Sequence, residues 1–167
     1  MTTLKNCILT HVEINHKIRR IAYQIYEANS DESEVVLAGI DSNGYILAKK
    51  IKTVLNKISP INSVLCKVII NKKKPLEVIK TSITKEEYIN KSVVLIDDVL
   101  NSGTTLVYGV KHFLDVPLKK FKTAVLVNRN HKKYPVKADF KGISLSTSLH
   151  EQIEVVLEGK NYEVFLK

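Results

Sequence analysis

Apolar residues along the chain form two alternating patterns, short continuous runs and stretches with helical spacing. The continuous runs, each short enough for a buried β-strand, cover residues 34–40, 64–70, 93–96 and 122–127. The stretches in which apolar residues recur every three or four positions cover residues 14–25, 47–58 and 106–114. Because strands and helices alternate, the pattern predicts an α/β fold with a largely parallel, twisted sheet flanked by helices.

Local signals set the ends of several elements. Thr10-His11-Val12-Glu13 has the form of a helix capping box, which predicts a first helix that ends near Asn29. The stretches near the carboxyl end that predict short strands are 138–142, 153–157 and 162–166. The last two of these predict a hairpin. We therefore expect residues 1–167 to form a single domain with a small β-rich hood.

Residues 71–90 interrupt the alternating pattern. The segment is rich in lysine, poor in periodic apolar residues and broken by Pro75, so we expect a long excursion with weak strand content. The charge run Lys72-Lys73-Lys74 is more typical of a solvated face than of a ligand contact. Excursions of this length in a compact domain are often lids over active sites, and this one is therefore a candidate lid.

The composition is that of an ordinary globular protein, with 44% hydrophobic and 26% charged residues. No apolar run approaches the roughly 20 residues of a membrane span. The first residues lack the plan of a signal peptide, so we expect a cytoplasmic protein without a membrane partner. The formal net charge of +9 suggests phosphorylated ligands, nucleic acid or both. Only Arg19, Arg20 and Arg129 are arginines, so lysine enrichment for solubility is an alternative explanation of this charge.

Two adjacent acids, Asp97 and Asp98, directly follow the buried run 93–96. Each carboxylate needs a partner or water to offset its lost hydration, so we expect a cationic or hydroxyl-rich group opposite them. The next loop, Asn101-Ser102-Gly103-Thr104-Thr105, combines hydroxyls, a glycine and the free backbone N–H groups of a helix start, which favours an anion such as phosphate. Ligands of open α/β sheets lie outside the carboxyl ends of the strands. The pattern thus predicts a ligand with hydroxyls at one end and phosphate at the other.

The run IDDVLNSGTT at residues 96–105 resembles the ligand-binding signature of type I phosphoribosyltransferases. The resemblance implies that Asp97 and Asp98 bind the 2′ and 3′ hydroxyls of ribose and that the loop 101–105 binds the 5′-phosphate. It also implies that the turn Asp41-Ser42-Asn43-Gly44 binds diphosphate. Mg²⁺ is the cofactor this resemblance implies, held mainly by the ligand, with Asp97 or Asp98 as its contact on the protein.

Two other interpretations of the acid pair are a surface turn and a two-component receiver domain. Receiver domains carry their acids after the first strand. Here a strand, a helix and a second strand already precede Asp97, which favours the phosphoribosyltransferase interpretation.

Nearly the whole chain is similar to the bifunctional pyrimidine-operon regulators that are also uracil phosphoribosyltransferases. The segments that carry this similarity are 18–22 with 24–25, 39–40 with 44–51, and 124–142. It implies phosphoribosyl diphosphate and a nucleobase, or a nucleoside monophosphate, as ligands, with uracil as the base, and a homodimer or higher oligomer. It makes residues 71–90 a mobile hood over the diphosphate. It also makes Val99, Asn128 and Arg129 candidate contacts to the base, with an ordinary core valine as the alternative for Val99.

Three positions depart from the pattern of these regulators, and a fourth departs from that of purine-using relatives. Asp41, Asn43 and Thr104 stand where the regulators carry cations. Asn101 stands where purine-using relatives carry an aspartate, and since a carboxamide cannot act as a general base, uracil is favoured over hypoxanthine or guanine. The lost cations count against catalysis, because the growing charge of departing diphosphate must be stabilised.

The sequence therefore supports two hypotheses. The first is a phosphoribosyltransferase that moves phosphoribose from phosphoribosyl diphosphate to a nucleobase, with uracil favoured, and releases diphosphate. The second is a non-catalytic regulator of pyrimidine genes on the same fold, which senses nucleotides and binds RNA. The residues to test for RNA contact are Arg19, Arg20 and the lysines of 119–122.

Overall fold

The computed structural model describes residues 5–167. In chain order the elements are β1 (Asn6–Leu9), α1 (His11–Ala28), β2 (Glu34–Ile40), α2 (Asn43–Ile58), β3 (Asn62–Ile69), β4 (Lys80–Thr81), α3 (Lys85–Tyr88), β5 (Ser92–Leu100), α4 (Thr104–Phe113), β6 (Lys120–Arg129), β7 (Phe140–Leu145), β8 (Ile153–Val156) and β9 (Glu163–Leu166). Within the described residues, no helix is both long enough and apolar enough to cross a membrane.

The main sheet has six strands in the order β4-β3-β2-β5-β6-β7. All neighbouring strands are parallel except the two-residue β4, which runs antiparallel to β3. Alternate residues of the central strand β5 face opposite sides of the sheet: Val94 and Ile96 pack with α1 and α2, whereas Val93 and Leu95 pack with Tyr88 and Phe113. Burial on both faces explains the continuous apolar runs of the sequence and confirms the predicted α/β fold.

A second, smaller sheet has three antiparallel strands in the order β1-β9-β8. Strands β8 and β9 form the predicted hairpin, and Gly159 in its turn has a φ of +82°, which suits glycine. Strand β1 has no counterpart among the sequence predictions. The strand predicted at 138–142 lies at 140–145, and it joins the main sheet as its edge rather than the small sheet.

The first helix begins with the predicted capping box. The Thr10 hydroxyl accepts a hydrogen bond from the Glu13 N–H, and the Glu13 carboxylate accepts one from the Thr10 N–H at 2.8 Å. Farther along α1, Arg20 donates through Nη2 to the carbonyls of Lys141 and Gly142, each at 2.6 Å. The arginine thereby fastens α1 to the edge strand β7.

Two element boundaries near the acids differ from the sequence predictions. Helix α2 begins at Asn43, so Asn43 and Gly44 belong to its first turn rather than to a preceding loop. Strand β5 continues through both acids to Leu100, because β6 runs beside it and supplies backbone partners as far as Asn128. The excursion 71–90 contains the short β4 and the single-turn α3, in agreement with its predicted weak strand content.

Candidate active site

Two acids stand at the carboxyl end of the central strand β5. Asp97 is 3% exposed and Asp98 is half-buried. The Asp97 carboxylate accepts a hydrogen bond from the Asp98 N–H, and the Asp98 carboxylate accepts one from the Val99 N–H, both at 2.9 Å. These local bonds hold the carboxylates beside the backbone at the edge of the sheet where a ligand of such a fold binds.

A lysine from the excursion faces the acids. Lys72 Nζ lies 4.0 Å from Asp97 Oδ1, and it is the cation that the sequence led us to expect. Burial raises the pKa of the Asp97 carboxyl well above its ordinary value, and the neighbouring charge of Asp98 raises it further, while Lys72 acts in the opposite direction. A buried acid of this kind gains from any ligand that brings hydroxyl donors or a cation.

The loop after the acids leads into the N-terminus of α4. Gly103 precedes the helix with a φ of +86°, a conformation that side chains rarely adopt, and a Cβ there would lie 2.7 Å from Val136 Cγ1. Ser102 Oγ lies 3.0 Å from Thr104 Oγ1, and the Ser102 carbonyl accepts the Lys133 N–H at 2.7 Å. The loop is thus held from both sides. The Thr104 N–H donates to Ser102 Oγ at 3.3 Å, and the first-turn N–H groups of Thr105 and Leu106 are available to an anion.

Asp97 and this loop line the same cavity. Its volume is about 230 Å³, and its walls include Lys72, Asp97, Val99 and the stretch 100–103 together with Thr105. A carboxylate, an ammonium and a helix N-terminus therefore face one space, which suits a ligand that carries both hydroxyls and phosphate.

The turn between β2 and α2 packs directly against the acids. Asn43 Nδ2 donates to Asp98 Oδ2 at 3.1 Å and to the Val155 carbonyl of β8 at 3.0 Å. Asp41 Oδ1 lies 3.5 Å from Lys67 Nζ, and the peptide bond between Asp41 and Ser42 is cis. Asp41 and Asn43, two of the three residues that we expect to stand where the resembled regulators carry cations, thus bind groups of this chain itself.

The family described as "Phosphoribosyl transferase domain" matches residues 6–158. The chain belongs to this family. The curated relatives that are similar to it include proteins named "Bifunctional protein PyrR" from Fusobacterium nucleatum, 36% identical over 92% of this chain and 93% of the relative, and from Streptococcus agalactiae, 32% identical over 93% and 92%. The predicted resemblance to type I phosphoribosyltransferases is confirmed.

Solved structures show the same fold at low sequence identity. The hypoxanthine phosphoribosyltransferase of Trypanosoma cruzi has a TM-score of 0.80 at 14% identity and covers 96% of this chain and 95% of its own. A hypoxanthine-guanine phosphoribosyltransferase from Bacillus anthracis has a TM-score of 0.71 at 17% identity, with coverage of 84% and 82%. At these identities the likeness establishes the architecture of a phosphoribosyltransferase and no more.

The acidic side chains near the cavity suit a Mg²⁺ ion that would be held mainly by the ligand. Among residues 5–167, no group of three or more His, Cys, Asp or Glu side chains is arranged to hold a metal ion. Asp97 and Asp98 nevertheless offer hard carboxylate oxygens, and Mg²⁺ commonly binds one or two carboxylates together with substrate phosphates. The residues present therefore fit a metal held mainly by the ligand.

The three candidate base contacts have different surroundings. Val99 lines the cavity, whereas the Asn128 amide donates to Ser144 Oγ at 3.3 Å on the neighbouring strand β7. Arg129 is 6% exposed and donates to Thr147 Oγ1 at 2.5 Å, to the Ser148 carbonyl and to Asn101. Of the three, only Val99 borders the cavity with its own atoms.

The sequence analysis missed Lys67. This half-buried lysine on β3 lies beside Asp41, where it restores a positive charge to a turn that has lost its own cations. A signal was present, because Lys67 is the single charged residue in the apolar run 64–70. A charged side chain inside an otherwise buried strand needs a partner of opposite charge. The position of Lys67 near the carboxyl end of β3, where ligands of such folds bind, therefore made it a candidate site residue.

Gly44 is predicted to tolerate no side chain. A Cβ at this position would lie 2.7 Å from the Ile96 carbonyl oxygen and 3.0 Å from Asp97 Cα, both of which are backbone atoms. We expect Gly44→Ala to push α2 away from β5, to lower the free energy of unfolding by roughly 1–3 kcal/mol and to weaken nucleotide binding. Chemical denaturation and titration with a nucleotide measure both effects.

Gly109→Ala is the matched control, because its Cβ would meet mainly the end of the Leu95 side chain, which can move. If Gly44→Ala binds nucleotide as well as Gly109→Ala does, the close packing of the turn against the acids is unimportant for the site.

Proposed function

We propose that this protein is a Mg²⁺-dependent phosphoribosyltransferase that moves phosphoribose from phosphoribosyl diphosphate to uracil and releases diphosphate. The observation that carries the proposal is the shared cavity of Asp97 and the N-terminus of α4. One end of that cavity suits ribose hydroxyls and the other suits a phosphate. The named relatives support the family and leave the base to be tested.

In the proposed reaction, Asp97 and Asp98 accept hydrogen bonds from the ribose hydroxyls, and the loop 101–105 holds the 5′-phosphate. The bond between ribose C1 and the diphosphate oxygen breaks while C1 forms a bond to a uracil nitrogen, whose proton passes to water. Mg²⁺ supplies positive charge to the diphosphate when bound. Because Asn101 cannot accept a proton as a general base, the chemistry suits a base that needs none.

Lys67 and Lys72 are the proposed cations for the departing diphosphate. Lys67 lies beside the 41–44 turn and Lys72 beside Asp97, so both can stabilise charge that develops between these elements. We expect Lys67→Gln and Lys72→Gln each to lower kcat/KM for phosphoribosyl diphosphate about tenfold, which corresponds to 1.4 kcal/mol. Steady-state kinetics at varied phosphoribosyl diphosphate concentration measures the change.

Lys160→Gln removes the same charge from the β8–β9 turn and is the matched control, because Lys160 is exposed there. If Lys67→Gln and Lys72→Gln lower kcat/KM no more than Lys160→Gln does, the two lysines act only through the net charge of the protein. In that case the diphosphate must be stabilised by other groups.

The test of the proposed function is diphosphate release from phosphoribosyl diphosphate with Mg²⁺. Uracil, hypoxanthine, guanine, xanthine and orotate are supplied singly, with a control that lacks a base. Diphosphate release that requires uracil supports the proposal. Diphosphate release that requires a purine or orotate instead would show that this base, and not uracil, is the substrate. Release that is the same with and without a base contradicts the transfer reaction.

A second candidate function is a nucleotide sensor that has lost catalysis. It is favoured by the turn 41–44, where Asp41 and Asn43 bind other groups of the protein in place of offering cations. No release with any base, together with measurable binding of UMP or phosphoribosyl diphosphate, would make the sensor the leading function.

RNA binding belongs to this second candidate, and the structure changes the choice of residues to test. Arg20 binds two backbone carbonyls, Lys119 lies 2.9 Å from Glu32, and Lys120 lies 2.5 Å from Asp31. Among residues 5–167, the Arg19 side chain hydrogen-bonds Tyr23 and forms no ion pair, and Lys122 remains a second residue to change. RNA affinity that falls steeply with salt and weakens in Arg19→Gln and Lys122→Gln would support it.

The proposed function also includes expectations about domain organisation, localisation and oligomeric state. We expect residues 1–167 to act as one domain in the cytoplasm and to form a homodimer or higher oligomer. Analytical ultracentrifugation with and without UMP tests the oligomeric state.

A further inference from the structure

Arg129 is a buried cation whose partners are all neutral. Its side chain is 6% exposed, and its guanidinium donates to Thr147 Oγ1, to the Ser148 carbonyl at 2.7 Å and to Asn101 Oδ1 at 3.3 Å. Among the ion pairs of residues 5–167, none includes Arg129. A guanidinium in such a place fixes the orientation of its acceptors, because it can only donate hydrogen bonds.

Asn101 is the partner for which orientation matters. A carboxamide has an acceptor at one end and donors at the other, and a half-turn exchanges them. Because Arg129 only donates, the amide oxygen of Asn101 must face it. The amide nitrogen of Asn101 has no protein acceptor in the part of the chain that the structure describes, and Asn101 lines the cavity. The group left for a ligand is therefore a hydrogen-bond donor.

The position of Asn101 indicates which part of a base would meet this donor. Asn101 follows Val99, which lines the cavity, and directly precedes the loop of Ser102 to Thr105 that suits a 5′-phosphate. In the anti conformation of a pyrimidine nucleotide, the C5–C6 edge faces the 5′-phosphate and the 2-carbonyl faces away. The group next to that edge is the 4-carbonyl in uracil and the 4-amino group in cytosine. A donor on the phosphate side therefore matches uracil and opposes cytosine.

We infer that Arg129 is a positioning residue that fixes Asn101 as a hydrogen-bond donor to the 4-carbonyl oxygen of a uracil base. The inference rests on the proposed function and adds the means of base selection to it. A cytosine base would place two donors against each other, and an unpaired buried donor costs more than a single hydrogen bond gains. Selection thus comes from rejecting the wrong base as well as from binding the right one.

The ratio of the dissociation constants of CMP and UMP tests the inference. We expect the unaltered protein to bind UMP at least about tenfold more tightly than CMP, since each 1.4 kcal/mol is a factor of ten. Asn101→Asp puts a carboxylate, which accepts hydrogen bonds, in place of the donor, so the preference should reverse toward CMP. Arg129→Gln leaves Asn101 free to turn over, so the preference should fall to within about threefold without reversing.

Asn130→Asp adds the same negative charge at an exposed neighbouring position and is the control for general repulsion of nucleotides. Phosphoribosyl diphosphate, which has no base, measures how strongly each variant repels the phosphates. This repulsion acts equally on CMP and UMP, so the ratio of their dissociation constants should change in Asn101→Asp and stay unchanged in Asn130→Asp. Because Asn101 is exposed, Asn101→Asp is expected to fold, and it tests the donor at Asn101. Arg129→Gln tests the positioning, and an unchanged ratio in this variant, once circular dichroism shows that it is folded, overturns the role of Arg129.

Two further results would overturn the inference and can be told apart. An unchanged ratio in Asn101→Asp, with UMP still bound by the unaltered protein, removes the inference and leaves the proposed function in place. Failure of the unaltered protein to bind both UMP and phosphoribosyl diphosphate removes the proposed function and the inference together.

Discussion

Replacing Asp98 with asparagine is expected to lower kcat/KM about a hundredfold or more while the fold stays intact, a loss comparable to that of other groups that act on the transition state. The substitution removes a negative charge that accepts hydrogen bonds from ribose, and charged acceptors are about twice as strong as neutral ones. It also sets an amide against Asn43 Nδ2, which donates to Asp98 at 3.1 Å. Asp98 is half-buried, so the loss of charge leaves the core unchanged.

The measurement compares Asp98→Asn with Asp115→Asn in the same diphosphate-release assay. Asp115 is exposed beyond the end of α4 and pairs with Lys85 at 3.6 Å, away from the cavity. Circular dichroism and thermal melting establish that both variants are folded. If Asp98→Asn kept the activity of Asp115→Asn, Asp98 would not be a residue that binds ribose.

Replacing Asp97 with asparagine is expected to abolish most activity and to make the protein more stable at neutral pH. Burial and the neighbouring Asp98 raise the pKa of Asp97 from the ordinary 3.8, so the folded protein binds this proton more tightly than the unfolded chain does. Stability from Asp97 is therefore fully present below pH 3.8 and is lost as the pH rises through the raised pKa. The uncharged variant avoids that loss, with a gain of roughly 1–3 kcal/mol, the usual cost of a buried group that lacks full partners.

Melting temperatures of the unaltered protein and of Asp97→Asn, measured from acid to neutral pH without ligand, test this prediction. The two curves should meet in acid and diverge as the pH rises. A variant that is less stable at neutral pH would show that the pairing of Lys72 with Asp97 outweighs the cost of burying the charge. The gain should vanish when phosphoribosyl diphosphate with Mg²⁺ is present, because the ligand binds the unaltered protein alone.

Much of the fold could be predicted because most of its strands are buried on both faces. The run at residues 34–40 coincides with β2, and the capping box at Thr10 marks the start of α1. Strand β1 is different, since its four residues owe their conformation to β9, which lies at the other end of the chain. The edge position of β7 likewise depends on pairing with β6, and no local pattern encodes that choice.

In the candidate site, too, some features could be predicted from the local sequence and others depend on how the strands pair. The acids and the phosphate loop are consecutive in sequence, so their chemistry could be predicted from residue types and order. Arg129 and Asn101 are 28 positions apart in sequence, so their contact could not be predicted from local patterns. It follows from the pairing of β5 with β6, in which Leu100 lies opposite Asn128 and the next residue of each strand therefore lies close to the other. The hydrogen bond from Asn43 to Asp98 could not be predicted, because it depends on where α2 begins. The spacing of apolar residues predicted a later start for this helix than Asn43.

The small sheet also determines when the site can be completed during synthesis. Strand β9 lies between β1 and β8, so neither of those strands has its hydrogen-bonded neighbour until the ribosome has added residues 163–166. Chains fold from the N-terminus as they emerge, and the main sheet needs only residues up to 145. The Val155 carbonyl that holds Asn43 against Asp98 belongs to β8. A nascent chain is therefore expected to form the main sheet and its packed helices first, and the hydrogen bond that links the small sheet to Asn43 beside Asp98 is made last.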